Sequence, residues 1–257
     1  MNIKTIILSL FLGIFCSATA QITNEAKSDG YNGSVQKVTS TMYEAIVEGN
    51  NIERGDILER LQTLYNSKGQ RRSMTYLATE EDVIFRTRYK HDGFGITILE
   101  QVVDNKEEII GRTYYVYDAN HILTEIYVED AERQVETRTL ISYDDQGRVR
   151  QRSFNDAMNN VYRREAYTYN PDGTILKTVV YDNKNNKISE TRFEYDDHKQ
   201  PVTQTMFDYT EEETELFVTL YKYQYDGHGN WVQRTEFELN GSKSTPTYII
   251  ERSIQYF

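Results

Sequence analysis

Cysteine is almost missing from this sequence: Cys16 is the single one among 257 residues. It falls in a stretch read as a signal peptide over residues 1–20. Lys4 is the basic start, residues 6–15 the apolar segment and Ala18-Thr19-Ala20 the cleavage site. Loss of that stretch leaves no thiol, which excludes disulfides and thiol chemistry from the mature chain. Gly13-Ile14-Phe15 is a poor match to the small-residue box before a lipidated cysteine, so the reading for Cys16 is no lipid anchor. The apolar segment is also shorter than the roughly 20 residues a membrane-spanning helix needs. The chain is thus expected to cross the inner membrane and act in the periplasm, at the outer surface or outside the cell. No transmembrane span is expected after cleavage.

Positive charge is scarce too. Lys and Arg number 29 against 40 Asp and Glu, a formal net charge of −11. That excludes nucleic acid as a partner, since a phosphate backbone calls for a basic stripe. The local basic groups Arg71-Arg72, Arg148/Arg150/Arg152 and Arg163-Arg164 read as solvated strand edges. Only three prolines occur, with Pro171 inside a turn and Pro201 at a strand start. No G-x-S-x-G, P-loop or H-E-x-x-H motif is present, and no cofactor is implied. The reading is not an enzyme.

What the chain has is a turn, written again and again. An Asp or Asn stands at Asn66, Asp92, Asp118, Asp144, Asn170, Asp196 and Asp226, at a spacing of 26 residues and then 30. Tyr65, Tyr117, Tyr143, Tyr169, Tyr195 and Tyr225 precede it, with His91 the exception. Gly69, Gly95, Gly147, Gly173 and Gly229 follow three places on, where His121 and Lys199 depart. Asx opens a type I turn by bonding the backbone ahead of it, and Gly supplies the positive φ of the hairpin exit. A second Asp row, Asp104, Asp130, Asp156, Asp182 and Asp208, lies between the first. The longer last interval places an insertion at Glu211-Glu212-Glu213-Thr214. Internal periods of this length mean stacked copies of one unit.

Between turns lie segments of strand length that alternate. Tyr167/Tyr169, Phe193/Tyr195 and Tyr221/Tyr223/Tyr225 share one face, with Thr168, Glu194, Lys222 and Gln224 on the other. The fold class is all-β: a long antiparallel meander of about seven two-strand repeats of 26 residues. So many strands cannot stay open and flat. The sheet curls over its tyrosine face into a barrel-like or spiral shell, or folds back as two packed layers. After the signal peptide, residues 21–32 read as a polar lead and 33–257 as a single domain. Within it, 34–47 is a first strand and 49–59 a loop or one helical turn. Asn240-Gly241 is a type I′ hairpin signal before a last strand at 247–257.

The motif Y-D-x-x-G, clearest at Tyr143-Asp144-Asp145-Gln146-Gly147 and Tyr225-Asp226-Gly227-His228-Gly229, resembles the YD repeat of RHS-type proteins. More closely, the chain is similar to small secreted Gram-negative proteins with degenerate YD-like repeats. Gly33-Ser34-Val35-Gln36-Lys37-Val38 resembles their opening strand, and Glu251-Arg252-Ser253-Ile254-Gln255-Tyr256 their closing one. The resemblance implies a repeat-built β shell. No D-P-x-G run matches the self-cleaving segment of the RHS shells, so a toxin-enclosing role is not carried over.

Candidate chemistry is sparse. His91, His121, His198 and His228 all stand in the turns beside carboxylates, but equivalent turns lie two strands apart, about 10 Å. No metal site is expected, and a single Asx per turn is what turn chemistry alone requires. Aromatic side chains suit the apolar faces of sugars. Trp231 and the aromatics outside the ladder parity, Tyr114, Tyr181 and Phe207, are the binding candidates. The expected function is a secreted, non-catalytic repeat protein of the cell envelope that binds a glycan or protein on an extended β surface. The alternative is an envelope scaffold or assembly component without a small ligand.

Overall fold

A computed structural model of the chain describes residues 24–78, 82–211 and 214–257. The signal-peptide reading over 1–20 lies outside them, as does part of the insertion at 211–214.

A one-turn helix, α1 (Glu25–Ser28), precedes sixteen strands. The first four are β1 (Val35–Glu48), β2 (Asn51–Tyr65), β3 (Arg71–Leu77) and β4 (Val83–His91). Then come β5 (Thr97–Asp104), β6 (Ile109–Tyr117), β7 (Leu123–Asp130) and β8 (Val135–Tyr143). The third group is β9 (Val149–Asp156), β10 (Val161–Tyr169), β11 (Ile175–Asp182) and β12 (Lys187–Tyr195). The last are β13 (Pro201–Asp208), β14 (Glu215–Tyr225), β15 (Trp231–Asn240) and β16 (Lys243–Tyr256). Each strand pairs antiparallel with the next, and β1 pairs with β16 from Val35↔Tyr256 to Glu44↔Tyr248. The meander therefore closes into a barrel.

Both Asp rows build the same turn. Asp144 Oδ1 accepts from the amides of Gln146 and Arg148, each at 2.9 Å, and the Gly147 amide donates to the Asp144 carbonyl at 3.0 Å. In the other row Asp182 Oδ1 accepts from the amides of Lys184 and Asn186 at 2.9 and 2.7 Å. The fourth turn residue has positive φ: +76° at Gly147 and +70° at Asn185. Glycine is thus dispensable but not the geometry. His121 and Lys199, which break the glycine pattern, take φ of +60° like the rest. At the tyrosine turns the register slips, as where Ser142 faces Gln151 but Tyr143 faces Val149. Such bulges bend a strand and strengthen its twist. Repeated at successive hairpins, they curl the sheet toward closure.

At several turns the tyrosine before the Asx ties neighbouring strands. Tyr143 donates to the Leu123 carbonyl (2.5 Å), Tyr169 to Val149 (2.7 Å) and Tyr195 to Ile175 (2.8 Å). Residues 24–34 pack against the face that carries Tyr65 and Val38, so the tyrosine face is the inner wall. Sixteen strands closed on one another make a barrel too wide for side chains to fill, so it encloses a lumen rather than forming a two-layer sandwich. Its buried clusters are small: Ala26, Tyr31, Val35, Val38 and Tyr65 at the tyrosine end, and Tyr76, Phe85 and Val102 on the inner wall.

Two boundaries differ from the sequence reading. Residues 49–59 are not a loop or helical turn but the tip and start of a long hairpin, with Ala45↔Arg54 and Val47↔Ile52 paired. This hairpin runs past the β3 and β16 ladders, so neither face is buried and the alternation is blurred; Ile46, Val47, Ile52, Ile57 and Leu58 stay exposed. The last strand starts at Lys243 rather than 247, because Asn240 pairs with Lys243 and the two-residue loop is Gly241-Ser242.

The turn geometry makes opposite demands at two positions. Gly147→Val should destabilise the protein by about 1 kcal/mol or more, because a β-branched residue resists positive φ. Arg133→Gly, at a φ of +65°, should stabilise it by up to about 1 kcal/mol by relieving the left-handed strain of a side chain. Urea unfolding of both variants beside wild type checks the pair of signs.

Candidate functional site: the inner wall beneath the N-terminal lead

The lead crosses the tyrosine end of the barrel and is fastened at both sides. Asn24 caps α1 by accepting from the Lys27 amide at 2.9 Å, and the Ala26 amide donates to the Gly69 carbonyl at 2.8 Å. Gly69 lies so close to the Asn24 side chain that a Cβ there would collide with it. At the far side the Asn32 amide donates to Asn230 Oδ1 (2.7 Å), and Asn230 Nδ2 donates back to the Asn32 carbonyl (3.0 Å).

Two acids of the lead point down into the barrel. Glu25 is buried and accepts from the Arg71 amide (2.6 Å) and the Thr97 hydroxyl (2.5 Å), with His91 Nε2 at 3.0 Å. Asp29 accepts from Tyr65 Oη (2.6 Å) and pairs with the Arg71 guanidinium through two nitrogens. Arg71 in turn lies over the Tyr89 ring at 5.7 Å. Below it, Tyr115 donates to Glu100 Oε1 at 2.5 Å. Burial pushes the Glu100 carboxyl up from its ordinary range, and the Tyr115 bond opposes that only in part. The Tyr89 and Tyr115 phenols are likewise pushed up by burial and then by the Glu100 charge.

The adjoining wall of β14–β16 is aromatic and cationic. Tyr221, Tyr223 and Tyr225 form a row with ring centroids 6.5 and 6.0 Å apart, and all three remain half-buried. Trp231 meets Tyr223 edge-on at 5.9 Å. The Arg252 guanidinium stacks on the Trp231 ring at 3.3 Å and faces Tyr31 at 5.1 Å. Arg234 approaches Trp231 and Tyr221, each at 5.3 Å, and pairs with Glu236 at 2.5 Å. Rings offer faces on which planar groups can stack, and guanidinium forks offer donors that anions can bond.

The sequence candidates do not meet. Trp231 is on the inner wall, 7% exposed, with one face taken by Arg252. Tyr114, Tyr181 and Phe207 are half-buried on the outer wall, on β6, β11 and β13. Tyr114 stacks on Tyr127 at 4.7 Å, and Phe207 lies under Arg192 at 4.8 Å. The solvated-edge reading of the arginines is corrected for Arg71, Arg152 and Arg163. Register puts Arg152 opposite Glu165 and Arg163 opposite Phe154 on the inner wall, and a closed barrel has no edge there for them to guard. Sequence reasoning missed Arg252. Its signal was an arginine at the parity of Ile250, Ile254 and Tyr256, an apolar inner row. The turn histidines disperse: His91 turns to Glu25, His198 stacks on Tyr225 at 4.1 Å and His228 packs on Tyr256 at 4.3 Å. Among the described residues no three His, Cys, Asp or Glu converge on one point.

No protein-family model matches the chain, and neither does any curated protein. Among solved structures it is similar to a porin-like protein from Bacteroides uniformis ATCC 8492. That likeness has 9% identity and a TM-score of 0.56, covering 88% of this chain and 99% of the other. It shows a shared β-barrel fold. A complex of TcdB2 and TccC3 without its hypervariable C-terminal region matches at 14% identity and a TM-score of 0.31, over 75% of this chain and 11% of that one. The Photorhabdus luminescens Tc holotoxin pore matches at 14% and 0.30, over 80% and 12%. Likenesses that low carry no argument.

Glu100 gives the wall a pH signature. Its folded-state pKa lies above the unfolded value of about 4.3, so its contribution is complete below that value and lost as pH rises through the folded one. Glu100→Gln should remove this loss, so the variant gains on wild type between about pH 4 and pH 7. Melting temperatures at the two pH values decide it; a constant difference would show that Glu100 does not titrate as its burial requires.

Proposed function

We propose that the protein is a non-catalytic binding barrel of the cell envelope and that its lumen takes a glycan. One observation carries this reading: the rings of Tyr221, Tyr223 and Tyr225 stand in a row on the inner wall of a barrel too wide for side chains to fill, and they stay half-buried. His198 takes one face of Tyr225 and Arg234 lies over Tyr221, so it is the remaining faces of the row that would stack on the C–H faces of sugars. The YD-like repeat kinship belongs to the same proposal, as does export by the N-terminal stretch.

The outer wall supports a barrel surrounded by water, not one embedded in lipid like a porin. Mid-strand it presents Glu125 paired with Arg138 at 2.5 Å, and Glu190 paired with Lys187 and Arg192 at 2.6 and 2.7 Å. A lipid-facing wall would show an apolar band there, and each Arg or Lys at mid-depth would cost about 2–4 kcal/mol.

A second reading, the envelope scaffold, is favoured by the protruding hairpin of β1 and β2. It leaves Ile46, Val47, Ile52, Ile57 and Leu58 exposed, beyond the reach of the neighbouring ladders.

A thermal-shift screen of residues 21–257 against envelope glycans separates the two. A saturable rise in melting temperature is expected with one glycan class, because a ligand of the folded state stabilises it by mass action. A flat response, together with self-association of the purified chain in sedimentation, would replace binding by the scaffold.

A further inference from the structure

We infer that Arg252, held between Trp231 and Tyr31, is the receptor for a carboxylate, and that the glycan taken by the lumen is an acidic one built of uronic-acid sugars. This rests on the glycan reading above and deepens it.

The inner wall carries an unbalanced charge. Arg252 sits on β16 opposite Ser40 of β1, in an inner row otherwise made of Ile250, Ile254 and Tyr256. Among the described residues its guanidinium has no carboxylate partner, and its Nε is buried without a hydrogen bond. Asp29 attracts it from a distance, but Asp29 is already bonded by Arg71 and Tyr65. Arg234 adds a second positive charge nearby and repels it; Glu236 neutralises Arg234 only. Burial and that repulsion together hold the Arg252 pKa below its ordinary value. A buried cation is costly unless paired. Among the described residues the compensation at close range is the two aromatic rings, which attract a cation but offer its N–H groups no acceptor.

Those N–H groups are where the geometry points to a ligand. The guanidinium carbon lies 3.3 Å from the centre of the Trp231 ring, a contact that limits its movement, and a fork so held is pre-organised for the two oxygens of a carboxylate. The neighbouring surface tells what the carboxylate is attached to. Tyr223 meets Trp231 at 5.9 Å and continues to Tyr221 at 6.5 Å, so stacking rings adjoin the cation. A sugar acid presents both features at once, a charged group and a ring with an apolar face. The lumen also carries acids of its own, Glu165 and Glu236 among them, each paired with an arginine two residues away along its strand. Among the described residues Arg252 is a cation that this internal pairing leaves over.

The test uses the only tryptophan in the chain, which is the ring under Arg252. Its fluorescence is titrated with an oligogalacturonate, with a neutral galactose oligosaccharide of equal length, and with acetate and inorganic phosphate alone. The oligogalacturonate should bind about tenfold or more tightly than the neutral sugar, as a charge-assisted pair requires. Its affinity should fall with added salt, while that of the neutral sugar should not. Arg252→Gln should erase the preference, and Arg252→Lys should retain part of it. If Arg252→Gln fails to fold, as shown by loss of its melting transition, the lysine variant and the salt dependence still decide. Equal binding of acidic and neutral sugars would overturn the carboxylate receptor and leave the glycan reading standing. Binding of neither sugar would remove the glycan reading as well. Acetate or phosphate binding as tightly as the oligogalacturonate would overturn the uronic-acid assignment, since the rings would then contribute nothing.

Discussion

A single side-chain oxygen, Oδ1 of an Asx residue, sets the form of this protein. At Asp144 and again at Asp182 it collects two backbone amides and holds the chain in a tight reversal whose fourth residue has positive φ. Because the reversal recurs at even spacing, every copy of the repeat returns with the same face inward. The bulge at the tyrosine turns adds twist in the same sense each time. The sixteen strands so bent close on one another: β1 meets β16 and the open edges pair with each other.

Closure at sixteen strands has consequences for the interior. A small domain normally buries its apolar face against a second layer. Here the inner face meets a lumen, so it is built from tyrosines that satisfy their hydroxyls locally and from arginines stacked on rings. Tyr195 bonds the Ile175 carbonyl, and Arg252 lies on Trp231. True burial is concentrated where the lead enters the tyrosine end, around Val35, Val38 and Tyr65. The lead is thus part of the core in a hollow molecule, and its acids Glu25 and Asp29 organise the cations beneath it.

The sequence reading reached far into the fold and little into the site. The turns, the alternation and the strand count were legible because each depends on residues within one repeat. The hairpin at 49–59 was not, since its strands outrun the barrel and neither face is buried strongly enough to impose alternation. Arg71 and Arg152 were misplaced for a related reason. A local basic cluster does not say which face a strand turns inward, and the carboxylate that receives Arg71 is Asp29, 42 residues away. Trp231 was marked as a candidate, but not that Arg252 would occupy its face.

By itself, the sequence determined that this chain is a meander of two-strand repeats with one aromatic face, because Asx turns and period-2 alternation act over a few residues. Only the tertiary structure decided that the meander closes, that the aromatic face lines a lumen, and that Arg252, Trp231 and Tyr31 come together. Those outcomes depend on contacts between residues more than two hundred positions apart. Pairing of β1 with β16 and docking of the lead on Asn230 join the two ends of the chain. No local pattern encodes which ends will meet; the accumulated twist of all sixteen strands does.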